Sequence, residues 1–312
     1  MISFGPVPSR RLGKSLGVNN IPSQKICTYS CIYCQVGLTK KFGLIRENFY
    51  DPKVIFDEVR KHLDCLHEKD MPDYLTFVSN GEPTLDKNLG ESIRLLKSLN
   101  FPVAVITNAS LLNDPGVRDD LKQADWVSVK TDSANESVWE KINRPHYKIH
   151  FDDYIEGLYS FSKVFPGILV TETMLVRGIN DQSGVLQHTA RLISGLKPSL
   201  AYISVPTRPP AVQWVRTPDE ETITTAFQIF VTENLNTELI LGFEGITIGY
   251  TGNAFEDIIN TCTVHPIRED AMLQLLKKNK ADSVILDILL TGNYIKEVYH
   301  SGNKFFIRNF NA

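Results

Sequence analysis

Three thiols fall within eight residues of this 312-residue chain, in the run Cys27-Thr28-Tyr29-Ser30-Cys31-Ile32-Tyr33-Cys34. Spacings of four and three let one loop fold all three around a single metal centre. Thiolates are soft ligands, suited to zinc, copper(I) and iron–sulfur clusters. A structural zinc closes its tetrahedron with a fourth Cys or His. No such ligand lies within twenty residues of the loop; the first histidine is His62 and the next thiol Cys65. A [4Fe–4S] cluster on three thiolates leaves one iron open to an outside ligand, which suits chemistry rather than architecture. Zinc with a distant fourth ligand and three purely structural cysteines are the competing readings. Five cysteines, odd in number and sparse, do not form a secreted disulfide framework. A reducing compartment, and hence a cytoplasmic location, is expected.

The surroundings of the loop are basic. Residues 1–49 carry seven Lys and Arg against Glu47 alone, a net +6 in a chain whose total is −3. That asymmetry points to an anionic ligand or partner. Arginine holds carboxylate or phosphate in a fork, so Arg10, Arg11, Arg144 and Arg208 are candidates for substrate contact. Ser79-Asn80-Gly81-Glu82-Pro83 follows an apolar run and reads as a strand end. Gly81 allows close backbone approach there, and Pro83 stops further pairing. Ser128, Lys130 and Asp132 alternate along another run and share one strand face. A strand buried on both sides has no free edge, so Lys130 is expected to face a barrel mouth beside a carboxylate. Glu172 and Met174 are inward candidates on the next run. His146 and His265 each adjoin a proline and read equally as proton carriers or as packing residues.

Short apolar runs alternate with amphipathic stretches and must position these groups. Strands are predicted at 74–79, 103–107, 126–131, 168–176 and 201–205, with a first one just before Cys27. Helices are predicted at 52–69, 88–99, 114–123, 152–164, 183–196 and 219–234, the first opened by Asp51-Pro52. Such spacing suits an α/β fold with a parallel sheet buried on both faces. About six β/α units up to residue 205 suggest a partial or full barrel; a doubly wound open sheet fits the same string. Either way, ligands belong at the carboxyl ends of the strands. No apolar run approaches the ~20 residues that span a bilayer, and no signal core is expected at the N-terminus. The length predicts two domains. The pattern changes at residue 265, dividing the chain into 1–264 and 265–312. The second part reads as helices at 267–278 and 282–290 and a hairpin about Ser301-Gly302-Asn303. That is a small α+β unit of winged-helix shape. Its net +2 is weak for nucleic-acid binding.

The cysteine spacing, together with Gly81-Glu82-Pro83 some fifty residues later, resembles the radical S-adenosylmethionine (SAM) superfamily. The resemblance implies a partial (β/α)6 TIM-type barrel with the cysteine loop after its first strand. It implies a [4Fe–4S] cluster on Cys27, Cys31 and Cys34, with SAM chelated at the open iron. Reductive cleavage then gives a 5′-deoxyadenosyl radical that abstracts a substrate hydrogen. Tyr33 matches the position whose backbone meets adenine. Ser79-Asn80-Gly81-Glu82-Pro83 stands where the family's Gly-Gly-Glu-Pro receives the SAM amino group, Asn80 replacing the first glycine. Asn108 matches a position near the cofactor, Ser128, Lys130 and Asp132 match positions for its ribose or carboxylate, and Met174 is grouped with them. An electron donor of flavodoxin or ferredoxin type is implied. The run through Cys34-Gln35-Val36-Gly37 resembles uncharacterised Fe–S oxidoreductases related to tRNA wyosine-base synthases. Those synthases carry further cysteines for a second cluster, and only Cys65 and Cys262 remain here. The substrate stays open among RNA or nucleotide, peptide and small metabolite; nucleic acid is a possible partner and a membrane is not. The alternative is an Fe–S redox-sensing regulator that reads DNA through its C-terminal unit.

Overall fold

The computed structural model describes residues 2–22, 24–242 and 245–310. Ten strands precede residue 241: β1 (Ser3–Ser9), β2 (Gly13–Val18), β3 (Ile26–Cys27), β4 (Lys41–Phe42), β5 (Tyr74–Phe77), β6 (Val103–Thr107), β7 (Trp126–Lys130), β8 (Ile168–Met174), β9 (Leu200–Ser204) and β10 (Thr237–Ile240). Eight of them form one sheet in the order β1-β2-β5-β6-β7-β8-β9-β10. From β2 onward every neighbour is parallel; β1 alone runs antiparallel, at the edge. The order never reverses, so there is no topological switch point and the doubly wound alternative does not apply. The helices between strands are α1 (Pro52–Cys65), α2 (Leu89–Lys97), α3 (Pro115–Leu121), α4 (Glu136–Asn143), α5 (Phe151–Val164), α6 (Ser183–Leu196) and α7 (Glu220–Thr232).

Period-two alternation sorts the strand residues between two cores. Ala104, Trp126, Val170, Tyr202 and Ile240 meet Leu12 on the concave side. Val103, Val105, Val127, Val129 and Leu169 face the helices, against Val59, Ile93, Val117 and Leu158. Helix starts follow their caps. Asp51 accepts from Lys53 N before α1, and Asp219 accepts from Thr222 N before α7.

Seven parallel strands stand where the pattern predicts six. The added one, β10, has four residues and contains Glu238, a weak signal in sequence. The first strand is β2, ending at Val18 rather than just before Cys27; only the two-residue β3 lies there. β1 contains Pro6 and Pro8, which an edge strand tolerates because it has a strand neighbour in the sheet on one side only.

After β10 come α8 (Ala254–Val264), β11 (Ile267–Arg268), α9 (Glu269–Lys278), α10 (Val284–Thr291), β12 (Ile295–His300) and β13 (Asn303–Arg308). The last three strands form an antiparallel sheet in the order β11-β13-β12. Residues 267 and 268 pair with Phe306 and Phe305 instead of starting the helix predicted at 267–278. Ile258, Met272, Leu275, Leu289 and Phe306 share one core with Phe4 and Val7 of β1. Among the described residues, no helix is long and apolar enough to cross a membrane.

Candidate functional site

Strands β6 to β9 end around a cavity of about 290 Å³, and the cysteine loop forms its opposite wall. Backbone contacts seat that loop. Ile26 N donates to the Asn80 carbonyl at 3.3 Å, and Glu82 N donates to the Ile26 carbonyl at 3.1 Å. Gly81 sits between them at φ +145°, where a Cβ would lie 1.7 Å from the Ile26 carbonyl oxygen. Glycine is required there by close approach as well as by φ. On the other side, Ser30 N and Ile32 N donate to carbonyls of Asn143 and Ile142 at the end of α4, at 3.1 and 3.0 Å. The loop is thus clamped between the end of β5 and the end of α4.

All three thiols border the cavity, and each has a side-chain N–H donor. Asn108 Nδ2 donates to Cys27 Sγ at 3.5 Å, Asn143 Nδ2 to Cys31 Sγ at 3.4 Å, and Lys25 Nζ to Cys34 Sγ at 3.1 Å. Burial pushes the Cys27 thiol up to about 11 and the Cys31 thiol up to about 12. Both would surrender their protons to a metal rather than to water at neutral pH. Burial alone would lower Lys25, but the neighbouring cysteine sulfurs, Cys34 first, raise it above its usual value. Among the described residues, no three His, Cys, Asp or Glu side chains gather around one ion. Cys65 is exposed on α1, and Cys262 is buried with Sγ 3.4 Å from the Phe306 carbonyl, so neither is a fourth ligand. Soft thiols around a shared cavity, each with its own donor, fit an iron–sulfur cluster.

Glu82 is buried and acts through its neighbours. Oε1 accepts from Thr84 N, Thr84 Oγ1 and Thr107 Oγ1, while Oε2 accepts from Asn108 N at 2.8 Å. It ties the end of β5 to the end of β6 and so aims Asn108 at Cys27. Asn108 also donates to Thr28 Oγ1 at 2.7 Å. Burial raises the Glu82 carboxyl, against those hydrogen bonds. Asp132 plays the corresponding part for Cys31. It accepts from Met174 N at 2.9 Å, from Asn143 Nδ2 at 2.7 Å and from the Tyr33 hydroxyl. Ser79 borders the cavity and donates to Asn20 Oδ1.

A charged group sits deeper. Arg11 Nη2 lies 2.8 Å from Glu172 Oε2, and Lys130 Nζ lies 3.3 Å from Glu172 Oε1 and 3.6 Å from Asp132 Oδ1. Ser204 Oγ donates to Glu172 at 2.9 Å. Burial would raise Glu172, but Arg11 and then Lys130 override it and hold the carboxyl down at about 2. Lys130 is also 5.0 Å from the Tyr33 ring centre. At the rim, Arg208 Nη1 donates to Gln35 Oε1 at 2.9 Å, and Gln35 Nε2 donates to the Val264 carbonyl at 2.9 Å. His265 borders the cavity beside Arg208, and burial together with that guanidinium holds its imidazole well below the ordinary range.

Of the residues singled out from sequence, Cys27, Cys31, Tyr33, Cys34, Ser79, Gly81, Glu82, Asn108, Lys130 and Met174 border the cavity, as do Arg11 and Arg208. Asn80, Pro83 and Asp132 are buried behind it. Ser128 lies one layer below Lys130, its buried hydroxyl without a partner among the described residues. Arg10 and Arg144 are exposed and outside the cavity wall; Arg144 ends α4 in the left-handed region, φ 46°. Sequence reasoning missed Lys25, Thr28 and Asn143. Asn143 is 112 positions from the thiol it meets. The only local signal was a helix ending at Asn143-Arg144-Pro145, which marks a terminus and not a contact.

Residues 21–193 match the radical SAM superfamily. A UPF0026 protein of Methanocaldococcus jannaschii is 38% identical over all of this chain and 97% of its own length. A UPF0026 protein of Helicobacter pylori strain J99 is 33% identical over 70% of this chain and 71% of its own. Among solved structures, Streptococcus suis SuiB bound to its precursor peptide SuiA superposes with TM-score 0.55 at 10% identity. That match covers 72% of this chain and 49% of SuiB, and it speaks for the fold alone.

Proposed function

The chain belongs to the radical SAM superfamily, and on that premise we propose that it is an enzyme in which Cys27, Cys31 and Cys34 hold a [4Fe–4S] cluster beside SAM. Once bound, the pair supplies reductive cleavage of the sulfonium and a 5′-deoxyadenosyl radical that abstracts hydrogen from a substrate. One observation carries the reading: three thiols from one loop meet one cavity, each steadied by an N–H donor from a different part of the chain.

The residues of the chain divide the work. Gly81 and the Asn80 carbonyl fix the start of the cysteine loop. Glu82 and Asp132 aim Asn108 and Asn143. Lys130, Glu172 and Arg11 present a paired charge lattice suited to the polar ends of an amino acid or ribose. Val36, Val78 and Ile106 add an apolar wall that limits water. Arg208 and His265 border the rim, where a substrate would arrive. We read residues 265–312 as a winged-helix-like unit on the strength of the order β11-α9-α10-β12-β13. A small flavodoxin- or ferredoxin-type protein would supply electrons.

Anaerobic reconstitution of the full chain tests this. About four irons and four sulfides per chain are expected, with dithionite-driven release of 5′-deoxyadenosine from SAM. Colourless protein holding one zinc, or a cluster that leaves SAM intact, would defeat the proposal.

A further inference from the structure

The three side-chain N–H donors to the thiols are not alike. Asn108 and Asn143 offer neutral amides. Lys25 offers an ammonium, two positions before Cys27, with Nζ 3.1 Å from Cys34 Sγ. Its side chain is buried with the loop, the residue being 6% exposed. The same Nζ donates to the Gly37 carbonyl, and Gly37 N donates back to the Cys34 carbonyl at 3.1 Å. The ammonium is therefore held between a thiol and the turn that follows it, not extended into solvent. Burying a lone cation is expensive unless a negative partner is at hand. A thiolate ligand is such a partner, and a thiol is not.

We propose that Lys25 is a positioning residue for the bound cluster: it fixes the Cys34 thiolate and makes the cluster easier to reduce. The inference rests on the reading that the three thiols hold a [4Fe–4S] cluster. Reduction adds one electron to a thiolate-ligated centre, with no bond broken in that step. A fixed cation in hydrogen-bond contact with one ligand favours the more negative state. Hydrogen bonds and local charge are among the levers that set such potentials. The two amides supply dipoles only, so Lys25 is the donor whose removal changes the charge.

The test is a redox titration of the reconstituted full chain, followed by electron paramagnetic resonance, with iron per chain measured alongside. K25Q keeps a donor and removes the charge; K25R keeps the charge; K25M removes both. K25Q and K25M should reduce at more negative potential, with a tenfold loss in the reduction equilibrium constant, which for one electron is 59 mV. K25R should stay near the parent protein. Iron lost from K25Q but retained by K25R also supports the contact, because the charge is then what holds the ligand. Unchanged potentials at full iron content in K25Q and K25M overturn the inference, as does loss of iron from K25R together with K25Q. A parent chain that builds no cluster at all defeats the functional reading instead, so the two failures are distinguishable.

Discussion

The cavity mouth and the C-terminal unit are held together by different forces. At the mouth, buried polar groups satisfy one another across long sequence separations, as Asn143 reaches Cys31 and Asn108 reaches Cys27 and Thr28. In the C-terminal unit, Met272, Leu275, Leu289 and Phe306 pack with Ile258 of α8 as a continuous apolar core that also takes in Phe4 and Val7. Neutral hydrogen-bond networks fix geometry while adding little net stability, because each hydrogen bond replaces one to water. Apolar cores add stability and tolerate changes of side chain of similar volume. The mouth is thus built for placement and the C-terminal unit for cohesion. Gln35 links Arg208 at the rim to the carbonyl of Val264, the last residue before that unit.

The largest effect should come at the mouth and spare the fold. Cys31→Ala removes a proposed ligand from a partly buried loop position. Release of 5′-deoxyadenosine should be abolished, while the thermal unfolding midpoint of the apo chain barely moves. Chromatography of the SAM cleavage products and a circular dichroism melt read the two quantities. Normal cleavage by the variant would remove Cys31 from the ligand set.

The converse substitution lies in the apolar core. Phe306 is 2% exposed and pairs with Ile267 across the small sheet. Phe306→Ala should cost about 3–5 kcal/mol in urea unfolding, through lost burial and the cavity left behind. Iron bound per folded chain should stay at the parent value. If iron falls while the chain is still folded, the C-terminal unit is part of the mouth and the contrast between the regions disappears.

The same contrast explains what could be read in advance. The thiol loop and Gly81-Glu82-Pro83 were legible because their chemistry is local. Three thiols in eight residues, and a glycine before an acid and a proline, need no partner to be noticed. The central strands were legible because burial on both faces leaves a run such as Val103–Thr107, apolar up to its last residue. The edges were not. β1 carries two prolines, and β2 carries Gly13, Lys14 and Gly17, so neither reads as a buried strand. Helix α4 was also missed, and with it Asn143, whose role depends on a tertiary contact with Asp132 and Cys31. Lys25 reads in sequence only as one charge in a basic segment, since its meaning depends on the loop turning Cys34 back toward it.

The smallest expected effect concerns how the mouth contributes stability at all. Glu172 is buried, and its carboxyl is held at about 2 against an ordinary value of 4.5, because Arg11 and Lys130 outweigh the cost of burial. A carboxyl depressed by folding binds its proton more weakly in the native state than in the unfolded one. Its contribution is therefore fully present above pH 4.5 and is lost as the pH falls from 4.5 toward 2. At 1.36 kcal/mol per pKa unit, that contribution is on the order of 3 kcal/mol. Glu172→Gln has no proton to gain in this window. The stability difference between parent and variant, from urea titrations at several pH values, should narrow by roughly that amount on acidification. Phe306→Ala should show no such narrowing, because its loss is apolar. A parent-to-Glu172→Gln gap that stays constant down to about pH 2 would mean the charge lattice shapes the cavity without stabilising it. The mouth would then rest on its hydrogen bonds alone.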